Sequence, residues 1–395
     1  MSKRIGLLPY GGKHWIAGLI YTHNLIRALN ALPDSERPDL ELLLTPKNST
    51  DDHCELTERG PGISYYAFAE AWPLWKQAAG AGLSLASLRC PDSLEAVVKR
   101  RGVEIVFPAL TSLGRHFPVP WVGWIPDFQH RRLPGFFSAR QREFRDRTFQ
   151  SLMRDAPHVV VSSQDAYADA GRSLPVSRGK LSVLPFAVVA APEWYNGDPA
   201  QVAKDFRLPE KYLIFPSQFW MHKNHRLVFD AIRMLRDEGL PDIHLVCTGY
   251  TRDTRDPAYF ATLRGWLDDN RMHSHVHVLG LLSRAIQVQL MRRAAAVIQP
   301  SLFEGWSLLV EDARMLGKRI YLSDIAVHRE QDPPDSVFFK ADSVRMLADL
   351  IARDWADLSP GPDNVRESQA RAAQLVRALH FARSFLTITA RVAAQ

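Results

Sequence analysis

The sequence predicts an α/β protein made of two doubly wound, parallel-sheet units facing each other across a cleft. Three observations carry this. The chain has 395 residues, more than one ordinary core of roughly 100–200 residues requires. Apolar runs of strand length alternate with longer helical patterns, and β-branched strands joined by helical crossovers imply a parallel sheet covered on both faces. The rhythm breaks around Ala187–Lys211, where Pro192, Gly197, Pro199 and Pro209 interrupt it, and then restarts. The expected division is a first unit over 1–188, a second over 189–370 and a terminal helical segment over 371–395.

In the first unit Arg4–Leu8 reads as a strand, followed by a loop with Gly11, Gly12 and Gly18. A helix over Leu19–Leu32 follows, with Leu25, Ile26, Leu29 and Leu32 at helical spacing. Further strands are expected at Leu40–Leu44, Ser64–Phe68, Val103–Phe107, Trp121–Ile125, His158–Ser162 and Leu181–Leu184. In the second unit Tyr212–Pro216, Ile243–Thr248, Val276–Leu279, Ala296–Gln299 and Arg319–Leu322 read as strands. Helices are expected over Asn224–Glu238, Pro257–Arg271, 284–293 and 308–316, and from Asp363 to about Val392. Such sheets bind ligands beyond the carboxyl ends of their strands, so the cleft is the expected site.

Composition narrows the function. The chain is 46% hydrophobic and 23% charged, which describes a folded globular protein and not a disordered or fibrous one. A formal charge of +6 is too small for a dedicated nucleic-acid binder. The first 190 residues carry 23 basic and 18 acidic side chains, so most of the excess lies there. Cys54, Cys90 and Cys247 are odd in number and far apart, offering neither a disulfide framework nor a zinc pattern. With no convincing signal peptide and no bilayer-length apolar run, a cytoplasmic protein is expected, with peripheral membrane contact left open.

The most informative stretch runs from Ile298 to Gly317. A strand ends near Pro300, a loop carries Glu304, Gly305 and Trp306, and a helix begins near Ser307 and Leu308. Gly305 can let a ligand approach the backbone, and free amides at a helix start can receive phosphate oxygens or a sugar hydroxyl. Glu304 can accept two sugar hydroxyls, while a second acid two turns on can reach a ribose. The same residues also describe a plain strand–loop–helix with a solvated acid and a capping serine. The segment resembles the Glu-x7-Glu region of family 4 glycosyltransferases, which have the GT-B fold and use activated sugars. The resemblance gives Glu304 the donor-sugar contact and puts Asp312, in place of the second glutamate, on the ribose. Glu311 stands beside it, about 100° round the helix, and is expected to face solvent. The resemblance continues through Ser323–Gln331.

Phe215–Arg226 follows the first strand of the second unit and opens a helix. A lysine there can neutralise charge developing on a diphosphate leaving group; a solvated basic turn is the plainer reading. The segment resembles the family's phosphate-binding turn, with Lys223 matching its lysine. Gln218 stands where the family has an arginine; it can hydrogen-bond but carries no charge. That leaves Arg226, His222 or His225 to compensate.

Trp124–Pro134 is the third constellation. Where related enzymes place a histidine before the acid, this chain has Pro126 and then Asp127. His130 is the substitute expected to contact the sugar, with Asp127 orienting it or serving the acceptor side; a loop histidine bonded to backbone is the alternative. The first glycine loop lacks the order of a dinucleotide fingerprint. By resemblance it approaches the leaving phosphate, Gly18 matching the glycine before the first helix, with Tyr21 and Asn24 as cleft candidates. Seven arginines between Phe128 and Arg154, interspersed with Phe136, Phe137, Phe144 and Phe149, suit either an anionic lipid surface or a solvated helix face. Ala71–Ala86, with Trp72 and Trp75, is a candidate acceptor groove.

Together these imply a retaining transfer of a hexosyl group from a nucleoside-diphosphate sugar to a saccharide or lipid-linked acceptor, as in surface polysaccharide or glycolipid synthesis. By resemblance the first unit takes the acceptor, the second the donor, and the terminal helix crosses back. No metal or cofactor is expected, because Lys223 supplies the charge and there is no Asp-x-Asp pair. The rival readings are an isomerase or phosphorylase on the same fold, or an inactive saccharide-binding protein.

Overall fold

The computed structural model describes residues 4–11, 15–44, 63–67, 93–175 and 179–395. Gly12, His14, Cys54, Cys90 and the Ala71–Ala86 segment lie outside the described residues. Two parallel sheets dominate. The first contains β1 (Arg4–Leu7), β2 (Asp39–Leu44), β3 (Ile63–Ala67), β4 (Ile105–Ala109), β5 (Trp121–Ile125), β6 (His158–Val161) and β7 (Leu181–Val183). Their order is β3-β2-β1-β4-β5-β6-β7. The second contains β8 (Leu213–Pro216), β9 (Leu245–Thr248), β10 (Val276–Val278), β11 (Ala296–Gln299), β12 (Ile320–Ser323) and β13 (Ser336–Phe339), in the order β10-β9-β8-β11-β12-β13.

Both orders reverse beside the first strand, leaving a crevice at the carboxyl ends next to β1 and β4 and next to β8 and β11. The central strands β4, β5, β8 and β11 are buried along their whole length, as continuous apolar runs require. β13 was not foreseen: its Ser-Val-Phe-Phe run is short and sits only four residues after Asp332, in a loop-like context.

The helices of the first unit are α1 (Ile16–Asn30), α2 (Leu94–Arg100), α3 (Gln129–Arg132), α4 (Ala139–Asp155) and α5 (Gln164–Ser173). Those of the second are α6 (Pro199–Asp205), α7 (His225–Asp237), α8 (Tyr259–Asp269), α9 (Arg284–Arg293), α10 (Leu308–Met315), α11 (Ala326–Gln331) and α12 (Val344–Asp354). α7 shows how pattern becomes packing: Leu227, Val228, Ala231, Ile232 and Leu235 share one face and are buried against the second sheet.

The core changes hands between Ala187, which belongs to the first sheet's cluster, and Val188, which belongs to the second's. The last helix, α13 (Asn364–Ala393), is continuous for 30 residues and starts earlier than 371. Its Glu367 pairs with Arg292 of the second unit at 2.7 Å. Farther on, Ala378, Phe381, Ala382 and Phe385 are buried in the first sheet's core with Leu25 and Leu29. Among the described residues no helix is long and apolar enough to cross a membrane.

Candidate active site

The carboxyl ends of β8 and β11 bring together the two side chains on which the sequence reading rests most. After β8 a short 3-10 turn, Met221–Lys223, ends at Asn224 in a left-handed conformation, with φ 60°. After β11 the loop 300–307 carries Glu304. Lys223 Nζ donates to Glu304 Oε1 at 2.6 Å, with only 15% and 9% of the two side chains exposed. Gln299, the last residue of β11, donates to the same Glu304 oxygen at 3.0 Å and to Ser307 Oγ at 2.8 Å. A buried ion pair needs such additional hydrogen bonds to offset its desolvation.

Ser307 caps α10 through Val310 N, as its sequence position predicts. Its own amide, expected to be free for a phosphate, donates instead to Gln331 Oε1 at 3.0 Å, and Gln331 Nε2 donates back to Ser307 O at 3.0 Å. Gly305 lies flush against the first unit: a Cβ there would sit 2.2 Å from Pro126 O and 2.9 Å from Asp127 Cβ. The glycine therefore serves the approach of the two units as much as that of any ligand. Trp306 turns to the first unit and donates from Nε1 to Phe186 O at 2.9 Å. Leu308 packs against the cores of both units.

Adjacent acids on α10 diverge. Asp312 pairs with Arg284, the first residue of α9, whose guanidinium also lies over Trp194. Glu311 is fully buried and does not face solvent as expected. It accepts from Gln331 Nε2 at 3.1 Å and from Arg377 of α13 at 3.2 Å. The burial arises because α13 and α11 cover that side of α10, which no local pattern reveals.

His222 and His225 do not replace the charge missing at Gln218. Both are buried, and burial first, with Lys223 nearby second, holds them neutral: His222 well below the usual imidazole range and His225 at about 3. His225 stacks between Phe215 and Phe219, and Arg226 is engaged with Asp230 at 2.9 Å. Gln218 Nε2 is buried without a hydrogen-bond partner. The cation nearest this turn that sequence reasoning missed is Arg255. It pairs with Asp253, reaches across to Gln129 Oε1 at 2.7 Å and lies over Trp220.

The third constellation forms a network. His130, expected to present a nitrogen to a sugar, is buried with both nitrogens engaged. Arg145 Nε donates to Nδ1 at 3.2 Å, so Nε2 carries the proton and donates to Asp146 at 2.8 Å. Desolvation is the largest influence on His130 and lowers its pKa. Asp127 accepts from Arg145 at 2.6 Å and from Gln129 N at 2.9 Å, and remains partly exposed opposite Gly305. Gly18 lies against Tyr10 O and the Trp15 ring, where a Cβ would come within 2.8 Å of both. Tyr21 stacks on Trp124 inside the core, and Asn24 accepts from Val189 N at 2.8 Å. Neither lines the cleft. Of the seven arginines, Arg131, Arg132, Arg145, Arg147 and Arg154 each pair with an acid. Among the described residues no group of three His, Cys, Asp or Glu side chains is placed to hold a metal.

The crevice at the second sheet's switch point, with a Lys–Glu pair set between the starts of α7 and α10, suits an anionic nucleotide bearing a polyhydroxyl group. Residues 200–367 match the family model for glycosyl transferases group 1. The group 1 match thus covers the second sheet, the Lys223 turn and the Glu304 loop. No curated protein sequence matches the chain. Among solved structures, the chain is similar to HepE of Anabaena in complex with UDP and glucose (15% identity, 98% of this chain and 100% of that one, TM-score 0.68). It is also similar to sucrose-phosphate synthase of Thermosynechococcus elongatus (16% identity, 98% and 100% covered, TM-score 0.69). A third similar structure is the lipopolysaccharide outer core galactosyltransferase WaaB in its apo form (13%, 98% and 99%, TM-score 0.60). The architecture is that of the GT-B glycosyltransferases.

Proposed function

We propose that the protein is a retaining, family 4 glycosyltransferase that moves a hexosyl group from a nucleoside-diphosphate sugar to a saccharide or lipid-linked acceptor. Surface polysaccharide or glycolipid synthesis is the setting that suits such an acceptor. The observation that carries this reading is the Lys223–Glu304 pair at 2.6 Å, within the segment that matches group 1 transferases. The fold shared with a structure holding UDP and glucose supports a nucleotide sugar as donor.

In this reading the incoming diphosphate draws the Lys223 ammonium, and Glu304, released on that side, accepts hydroxyls of the donor sugar. The bond from the anomeric carbon to the diphosphate oxygen breaks, the acceptor hydroxyl oxygen bonds to that carbon on the same face and passes its proton to the departing diphosphate, and Lys223 stabilises the charge that develops on the leaving oxygen. Amides of Gly305–Leu308 other than that of Ser307 assist, and Asp312 holds the ribose after exchanging Arg284. Asp127, facing Gly305, serves the acceptor side, and His130 orients that loop through Arg145. No metal or cofactor takes part; the donor is a substrate. The protein works in the cytoplasm, with any membrane contact peripheral.

The test is a mass-spectrometric screen of the purified protein against nucleotide sugars, with nucleotide release measured alongside and repeated after exhaustive chelation. Transfer from at least one donor, undiminished by chelation, is the expected result. Phosphate-dependent release or isomerisation without acceptor would replace the reading. Lys223→Ala should lower kcat by about 10²–10³-fold, the usual cost of removing an oxyanion-stabilising partner; unchanged kcat and KM would remove Lys223 from the mechanism.

A further inference from the structure

Lys223 and Glu304 come from loops 81 residues apart in sequence, so their 2.6 Å contact needs something that sets one loop against the other. The residue after Lys223 has the means. Asn224 adopts φ 60° and ψ 40°, a left-handed conformation in which asparagine is several-fold enriched among non-glycine residues. This kink ends the 3-10 turn that carries Lys223 and begins α7. Its side-chain amide donates twice, to Pro300 O at 3.3 Å and to Ala341 O at 2.9 Å. Pro300 opens the loop that carries Glu304, and Ala341 follows β13. One backbone bond lies beside these two: Leu302 N donates to His222 O at 2.8 Å. Three hydrogen bonds thus fasten the turn that carries Lys223 to loops beyond the carboxyl ends of β11 and β13.

We infer that Asn224 is the positioning residue that fixes Lys223 against Glu304, acting through its left-handed backbone and its two-carbonyl amide clamp. Its side chain is spent on protein carbonyls, so it positions and does not touch the reacting atoms. The catalytic part of this inference rests on the proposed transferase reading; the geometric part does not.

Asn224→Gly retains the left-handed backbone and removes the clamp, while Asn224→Asp keeps the shape but offers an acceptor to two carbonyls. Both variants should be compared with the parent by lysine-specific labelling of Lys223, followed by mass spectrometry, with the buried Lys318 as the internal control. Released from its partner, Lys223 should label several-fold faster in both variants while Lys318 is unchanged. Under the transferase reading kcat should fall by about 10- to 100-fold, the scale of an ångström-level misplacement, with donor KM changing less. Lys223 labelling within about twofold of the parent in Asn224→Gly, a change too small to report release of an ion pair, would overturn the inference. Faster labelling with unchanged kcat would overturn its catalytic part. If the parent transfers no sugar from any donor, the transferase reading fails, and the labelling still decides whether Asn224 positions Lys223.

Discussion

Glu311 and Asp312 are neighbours in sequence, and the roughly 100° between successive helical side chains gives them different partners. Asp312 meets Arg284 at the start of α9; Glu311 meets Arg377 and Gln331 on the covered side. Two variants separate their roles. Asp312→Asn should weaken nucleotide binding by about 1.5–3 kcal/mol, the usual worth of a charge-assisted hydrogen bond. Glu311→Gln should instead lower the melting temperature, because it leaves Arg377 and Gln331 facing a neutral, poorly matched amide inside the protein. Titration with the nucleotide of the donor found in the screen and thermal denaturation of both variants check this. A Glu311→Gln variant of parental stability but reduced nucleotide affinity would exchange the two assignments.

At the scale of elements, the start of α10 is held from outside itself. Ser307 supplies the ordinary cap, but its amide and carbonyl are both bound by the Gln331 side chain of α11. Gln331→Ala would leave Ser307 N without its buried acceptor, a loss of about 1–3 kcal/mol, while Glu311 Oε1 keeps Arg377. The expected outcome is a lower denaturation midpoint, together with weaker nucleotide binding as the helix start loosens. Equal stability and binding would show that another group or water takes over. Ser307 is legible in the sequence as a cap because serine before an apolar helix is a local signal. Gln331 is not, because nothing local distinguishes a glutamine that clamps a loop 24 residues away from one in solvent.

Across the whole molecule, contacts between the units gather beside the site. Glu330 of α11 accepts from Gln164 N at 2.8 Å and from Asp165 N at 3.3 Å, capping α5 of the other unit. Gly305 lies on Pro126, and Arg255 reaches Gln129. A carboxylate on a partly exposed helix start is worth about 0.3–1 kcal/mol. Glu330→Gln should therefore leave global stability nearly unchanged while widening the distribution of distances between the units, measured with spin labels on α5 and α11. An unchanged distribution would deny Glu330 any part in holding the cleft. A second whole-molecule prediction concerns acid. Burial holds His225 at about 3 and His328 at about 4, and lowers His130 and His222 as well. The unfolded chain takes up these protons near pH 6.5 and the native protein does not, so stability is full above that pH and falls below it. Each such histidine should contribute a slope of about 1.4 kcal/mol per pH unit until the native form titrates. Denaturation midpoints measured from pH 7.5 to 5 check this, and a flat profile would contradict it.

The sequence alone determined the two-sheet α/β architecture and the placement of Lys223 and Glu304 in loops that follow two apolar strands. These follow from local signals: strand and helix periods, turn residues, and charged side chains just past the ends of apolar strands. Only the tertiary structure decided what each polar group faces. His130 looked like a sugar contact until α4 supplied Arg145 and Asp146 to both its nitrogens. Glu311 looked solvent-facing until α13 brought Arg377 to it from 66 residues away. Gly305 reads in the sequence as a ligand approach, and only the fold shows that Pro126 of the other unit also lies against it. A side chain's conformation is written in its neighbours along the chain, whereas its partner, its burial and hence its protonation depend on elements that only folding brings together.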